Sequence, residues 1–273
     1  MHTKILGLLA STLALGVSLA SCSQPEITCR VAPGTFTAKY TLKSGSGPCS
    51  ELKGEPVGMH GYNPLGADPQ GGPNLDIKRV AIRTTTLGDL YYLAVDAEDI
   101  LGTPILDPNA VLTSLGTFES TEPDSEGFCT APTLNPSTQT LPVIPERPDP
   151  ADETGMTLLP EEPAHAITYA WSNVQVRVTA EAAGTTMQAD LTYTENGCTA
   201  TYGVIGLYPS VACGKLDADG NHTDVPDTSL CTLEADPENG IAAGSGINPD
   251  LFDSVACDPD LLLCVLTRAP GGG

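Results

Sequence analysis

The sequence predicts an all-β fold: an antiparallel meander forming a single β-barrel or β-sandwich domain, with long irregular acidic loops and disulfides. Three observations carry that expectation. Residues 165–208 alternate apolar and polar side chains with period two, the signature of strands with one buried face. The chain of 273 residues holds 28 glycines and 24 prolines, a content that works against long helices. Eight cysteines, Cys29, Cys49, Cys129, Cys198, Cys213, Cys231, Cys257 and Cys264, form an even set that can staple four loops together.

In chain order, the first element is Thr35–Lys43, where Phe36, Ala38, Tyr40 and Leu42 alternate with Thr and Lys. Ser44–Gly47 and Pro48 turn the chain. Weaker strands are expected at about 50–59, 76–86, 90–96 and 110–119, with a single helical turn at Asp96–Ile100. Residues 121–164 hold nine prolines and read as a long, partly extended loop. Beyond it, Ile167, Tyr169 and Trp171 alternate on one phase and Val174, Val176 and Val178 on the other, so a β-bulge is expected at Ser172-Asn173. Met187, Ala189, Leu191 and Tyr193 form the next buried face. Asn196-Gly197 supplies a two-residue hairpin turn, and Cys198, Ala200, Tyr202 and Val204 line the return strand. From residue 209 the chain is acidic and cysteine-rich, with one last strand at Leu261–Leu266. The organisation expected is therefore a signal segment at 1–21, a tether at 22–33, a β domain at 34–208 containing the proline-rich loop, and a stapled region at 209–273 packed on it. Closure into a barrel is preferred because it removes exposed edges.

Charge narrows the partners. The net charge is −22, and it is uneven: residues 22–83 carry seven basic and five acidic groups, residues 84–273 four and 29. Such a polyanion gains nothing from counterion release, so nucleic acid is excluded as a partner. Eight cysteines allow 105 pairings; sequence proximity favours Cys257 with Cys264 and Cys213 with Cys231. Zinc is disfavoured, because no CxxC pair occurs and the histidines beyond residue 22 are His60, His165 and His222 alone.

The N-terminus explains the oxidised cysteines. Met1–Lys4 is a short basic start, and Ile5–Leu19 is uncharged and rich in Leu, Ala, Gly and Ser. That run is shorter than the roughly 20 residues of a membrane span. Leu19-Ala20-Ser21-Cys22 resembles the bacterial lipobox, and the resemblance implies cleavage before Cys22 and lipidation of its thiol. The membrane would then be a partner through the acyl chains, several of which anchor a soluble domain stably. Ser23, standing where an aspartate would signal retention at the inner membrane in enteric bacteria, makes the outer membrane the expectation.

For chemistry, Asp217-Ala218-Asp219-Gly220-Asn221-His222-Thr223-Asp224 resembles the opening of an EF-hand loop, with Asp217, Asp219, Asn221 and Asp224 as oxygen donors. It departs from the pattern at His222, where glycine is needed, and at Asp227, one residue short of the closing acid. Calcium is the one candidate cofactor. No Gly-x-Ser-x-Gly, His-Glu-x-x-His or phosphate loop is present, so no catalytic residue is named and the protein is expected not to be an enzyme. Trp171, Tyr169, Tyr193 and Tyr202 would pack a core or, in a closed barrel, line a ligand cavity. Gly34-Thr35-Phe36 is similar to the Gly-x-Trp start of lipocalins, though the only basic residue near the last strand, Arg268, is not carried over to the lipocalin role. The lipobox, the Tyr-rich strands, the Asn-Gly hairpin and Cys257-Asp258-Pro259-Asp260-Leu261-Leu262-Leu263-Cys264 together look like the uncharacterised Cys-rich envelope lipoproteins of myxobacteria. The function expected is a lipid-anchored lipoprotein with a non-enzymatic binding or structural role; the alternatives are a lipocalin-like carrier of a small apolar ligand and an exported hydrolase.

Overall fold

The computed structural model describes residues 27–271, apart from residues 69, 153, 155, 181, 218 and 240–242. The signal segment, the lipobox and Cys22 lie outside the described residues, as does the end of the Gly271–Gly273 tail.

Strand β1 (Gly34–Ser44) buries Phe36, Ala38 and Tyr40 as its alternation demands, but Leu42 at its far end is 46% exposed. Strands β2 (Gly54–Tyr62) and β3 (Arg79–Thr84) follow in antiparallel register. The next element corrects the sequence reading. Residues 90–96, expected as a strand, and Asp96–Ile100, expected as one helical turn, both belong to helix α1 (Thr85–Leu101). The β-like residues Tyr91, Tyr92 and Val95 drew the reading to a strand. What prevails is Leu87, Leu90, Ala94, Ala97 and Leu101 recurring at helical spacing, with a cap at each end. The Thr84 hydroxyl accepts from the Leu87 amide at 3.4 Å, and Gly102 closes the helix at φ 65°. Ala94 and Ala97 then pack against Ile105, Leu141 and Ile144 in a small second core.

The proline-rich interval is also more regular than expected. After β4 (Ser114–Thr117) it contributes β5 (Phe128–Thr133), β6 (Ser137–Leu141) and the short pair β7 (Arg147–Pro148) and β8 (Leu158–Leu159). Strands β9 (His165–Val178), β10 (Ala183–Glu195) and β11 (Cys198–Leu207) form the expected meander. The bulge falls where the alternation slips: the β9–β10 register shifts beside Asn173, whose φ is 49°. Asn196 and Gly197 take φ 48° and 83°, the two left-handed residues that the hairpin turn needs.

The main sheet runs β4-β3-β2-β1-β11-β10-β9-β5, with β6 pairing the first half of β9 while β5 pairs its second half. It curls until its edges meet, where Gly116 bridges Leu134 and two backbone bonds join Glu119 to Thr130 and Asn135 to Leu115. No ladder forms there. The fold is all-β and antiparallel, but the barrel is not closed. Pro132 within β5 has no N–H to give to a further ladder, as suits an edge strand. The Leu134 side chain also presses on Gly116, where a Cβ would stand 2.5 Å from it. Inside the curl sit Trp171, Tyr169, Tyr193, Tyr202 and Phe36, all essentially fully buried. Each large side chain removed from water in this way contributes about 1.5–3 kcal/mol.

After Leu207 the chain forms a satellite unit with its own core of Leu207, Ile247, Val255, Leu266 and cysteines. Its strands are β12 (Gly214–Leu216), β13 (His222–Pro226), β14 (Val255–Cys257) and β15 (Cys264–Leu266), paired two by two. The unit packs on the outer face of β11 and β1. Lys39 on β1 reaches the Asp258 carboxylate at 2.8 Å, with Asp258 only 7% exposed. Burial would raise the Asp258 carboxyl, but the Lys39 ammonium and the amides of Asp260 and Leu261 hold it below the usual carboxylate range.

All eight cysteines are paired, as expected, but not with their sequence neighbours. The bonds are Cys29–Cys129, Cys49–Cys198, Cys213–Cys257 and Cys231–Cys264. Cys257 and Cys264 stand directly opposite in the β14–β15 register, yet each is bound elsewhere. The sulfurs of Cys213, Cys231 and Cys264 all lie within 4.8 Å of one another. The two disulfides lie side by side, so chain separation could not choose among the pairings.

Candidate functional site

The sequence-derived candidates fall into three places. In the satellite unit, Asp217, Asp219 and Asn221 form the turn between β12 and β13, and Asp224 lies on exposed β13. One Asp217 carboxylate oxygen accepts from the amides of Asp219 at 2.9 Å and Asn221 at 2.8 Å, while the other takes the Asn221 side-chain amide at 3.4 Å. Hydrogen bonds, chiefly from the Asn221 amide, hold Asp217 below the usual carboxylate range. Asp217 thus shapes the turn. Among the described residues the one close grouping of Cys, His, Asp and Glu ligand atoms is the cysteine trio, whose sulfurs are spent in disulfides. The Cys213–Cys231 bridge expected to enclose this turn is replaced by the pairing above.

The second place is the interior. Tyr169 and Trp171 stack at 6.5 Å, Tyr169 meets Tyr193 edge-on at 5.0 Å, and Phe36 tilts against Tyr208 at 5.3 Å. These rings fill the curl and pack a core, and none lines the cavities described below. The hydroxyls of Tyr40 and Tyr169 meet at Glu55 of β2. One of its carboxylate oxygens accepts from Tyr40 at 3.1 Å and Tyr169 at 2.8 Å, and the other accepts from the Thr86 amide and hydroxyl, both at 2.9 Å. Tyr193 donates to Glu195 at 2.9 Å, and His165 stands 3.5 Å from that carboxylate's other oxygen. Burial, aided by the adjacent Glu55 charge, pushes the Tyr40 and Tyr169 phenols well above the ordinary tyrosine value. Burial and Glu195 do the same for Tyr193. These phenols keep their protons and serve as hydrogen-bond donors to the two carboxylates. His60 stacks on Tyr62, and His222 Nδ1 contacts the Gly214 carbonyl at 2.6 Å, so each histidine serves a different element.

The third place was not legible from the residues alone. The outward phase of β1, β11, β10 and β9 forms a polar strip with a surface cavity of about 420 Å³, lined by Lys43, Asp190, Asn173, Gln175, Gln188 and Gly203. Lys43 pairs with Asp190, Asn173 donates to Asp190 at 2.8 Å, and Gln188 donates to Gln175 at 2.6 Å. The hydrogen bond from Lys43, then that from Asn173, holds the Asp190 carboxyl low. Gly203 opens the hollow: a Cβ there would lie 3.0 Å from the Lys43 side chain, and glycine in a strand interior often marks such a close approach. Further along the same face, where the satellite unit rests on the sheet, a tighter cleft of about 120 Å³ is lined by Arg177, Thr186, Ser254 and Arg268 among others. The available signal was sparse: of four basic residues after position 84, two line this cleft.

Compared with known families, residues 34–209 match the model of the family described as MlpA, from the first residue of β1 to just past the end of β11. The chain belongs to the MlpA family. A relative from Myxococcus xanthus, named "Putative lipoprotein MlpA", is 30% identical over 147 residues, which cover 54% of this chain and 48% of that protein. The chain thus spans about half the length of the curated relative it matches. No solved structure matches. The expected likeness to myxobacterial lipoproteins is borne out. The family match ends at residue 209, so the satellite unit and most of the lining of the narrow cleft lie beyond it.

Proposed function

We propose that this MlpA-family chain is held in the outer membrane by acyl chains on Cys22 and that its domain has a non-enzymatic role, binding a polar partner on the outer face of its sheet. The observation that carries the reading is the hollow over Gly203, where Lys43, Asp190, Asn173 and the two glutamines present paired donors and acceptors beside Ile205 on a four-stranded scaffold. Such a surface suits hydrogen-bonded recognition. The phenols beside Glu55 and Glu195 are fixed as hydrogen-bond donors, a role that supports packing in preference to proton transfer. The tether supports a surface-proximal placement: six residues separate Cys22 from Cys29, which a disulfide pins to β5.

Density-gradient separation of inner and outer membranes tests the location. The wild-type chain is expected in the outer-membrane fraction and Cys22→Ala as unprocessed precursor outside it; wild-type protein in the soluble fraction would reject the anchor. A broad panel of ester, glycoside and peptide substrates tests the role, and turnover that survives purification would favour the hydrolase reading.

A further inference from the structure

We propose that the cleft between the sheet and the satellite unit is a phosphate site, built by Arg177 of β9 and Arg268 from the segment after β15. It is a small, recessed cavity, and its volume of about 120 Å³ holds an oxyanion the size of phosphate but not a large ligand. Two arginines line it, Arg268 from its exposed side, although residues 84–273 carry only four basic groups against 29 acidic ones. Neither Arg177 nor Arg268 makes an ion pair among the described residues, despite that excess of carboxylates. Asp250 also lines the cleft, at its exposed rim, and pairs with neither arginine, so the cavity keeps a net positive charge.

The polar groups inside point the same way. Thr186 is 1% exposed, lines the cleft, and its hydroxyl has no hydrogen-bond partner. The Arg177 Nε is likewise buried and unpartnered. Groups left in that state cost about 1–3 kcal/mol each unless something answers them, and an oxyanion accepts from all of them at once. Arg268 is already oriented, since its Nε donates to the Ser254 hydroxyl at 3.0 Å. The forked donors of arginine match phosphate geometry.

The position of the cleft indicates where the phosphate comes from. Arg177 stands opposite Phe128, the neighbour of Cys129, and Cys129 holds Cys29. Ala32 donates to the carbonyl of Gly184, two residues before Thr186. The N-terminal segment is thus fastened to β5, which pairs with β9, and to β10, the two strands beside or bearing Arg177 and Thr186. Seven residues from Cys29 to Cys22 reach at most about 25 Å, so an acylated Cys22 keeps the cleft within reach of phospholipid headgroups. This last step rests on the lipid-anchor reading; the cleft itself does not.

The test is calorimetric titration of the purified mature chain in a maltoside detergent, which contains no phosphate. One arm uses inorganic phosphate and the other short-chain phosphatidylglycerol, each against wild type, Arg177→Gln, Arg268→Gln and the control Arg83→Gln. Binding in either arm, weakened roughly tenfold or more by each cleft variant and unchanged by the control, is expected. Binding of the lipid in preference to free phosphate assigns the source to the membrane, and the reverse assigns it to solution. Thermal unfolding establishes that the variants fold; should Arg177→Gln fail, Arg268→Gln and Thr186→Val carry the test. Absence of binding in both arms up to about 10 mM, or cleft variants that bind like wild type, would overturn the proposal. The mass of the N-terminal peptide reports the anchor independently, so the two readings fail separately.

Discussion

Replacing Glu55 by alanine removes four acceptor contacts at one stroke: those to Tyr40, Tyr169 and both donors of Thr86. Thr86 is half-buried and its groups can turn to water. Tyr40 at 4% exposed and Tyr169 at 0% cannot. An orphaned buried hydroxyl costs about 1–3 kcal/mol, so two of them give a destabilisation of about 2–6 kcal/mol. The asymmetry between losing one partner and losing both supplies the control. In the Glu55→Ala background, Tyr40→Phe and Tyr169→Phe remove the stranded donors and are expected to restore part of the loss, whereas in wild type the same changes destabilise. The assay is urea unfolding with the disulfides intact, comparing midpoints at constant slope. A Glu55→Ala effect below about 0.5 kcal/mol, the size of an ordinary surface change, or phenylalanines that deepen the loss, would refute the network.

Three further outcomes follow from the same geometry. Because the Tyr40, Tyr169, Tyr193 and Tyr202 phenols are raised when folded, their contribution is complete below the ordinary tyrosine value near 10 and declines as pH rises above it; phenolate absorbance should therefore show four of the eight tyrosines silent until the chain unfolds. Asp258→Ala should loosen the satellite unit by about 1–3 kcal/mol, toward the lower end because the Lys39 ammonium touches solvent. Its depressed carboxyl adds stability above the ordinary aspartate value that is lost as pH falls through the folded one, and an unchanged acid limb in the variant would contradict this. Non-reduced peptide mapping should recover Cys213 linked to Cys257 and Cys231 to Cys264, closing loops of 44 and 33 residues, each supporting about 4 kcal/mol in the chain-entropy account; a Cys213–Cys231 peptide would reject that wiring.

How far the residues disclosed this architecture follows from which interactions are local. The meander from His165 to Leu207 was legible because alternation, bulge and Asn196-Gly197 turn are short-range properties. Helix α1 was misread although Thr84, Gly102 and the apolar spacing were all present, because two tyrosines and a valine imitate a strand over seven residues. Strands β5 and β6 read as loop in the sequence, since their pairing with β9 is settled by long-range contacts that prolines obscure. The outer-face sites were invisible for the same reason: Lys43 and Asp190, or Arg177 and Arg268, meet only once the strands are in register and the satellite unit has docked.

The lipid anchor is tested most directly by the mass of the N-terminal peptide of the protein purified from its own membranes. The account predicts a peptide that begins at Cys22 and carries covalently bound acyl chains. An N-terminal peptide that begins elsewhere, or begins at Cys22 with an unmodified thiol, would contradict it.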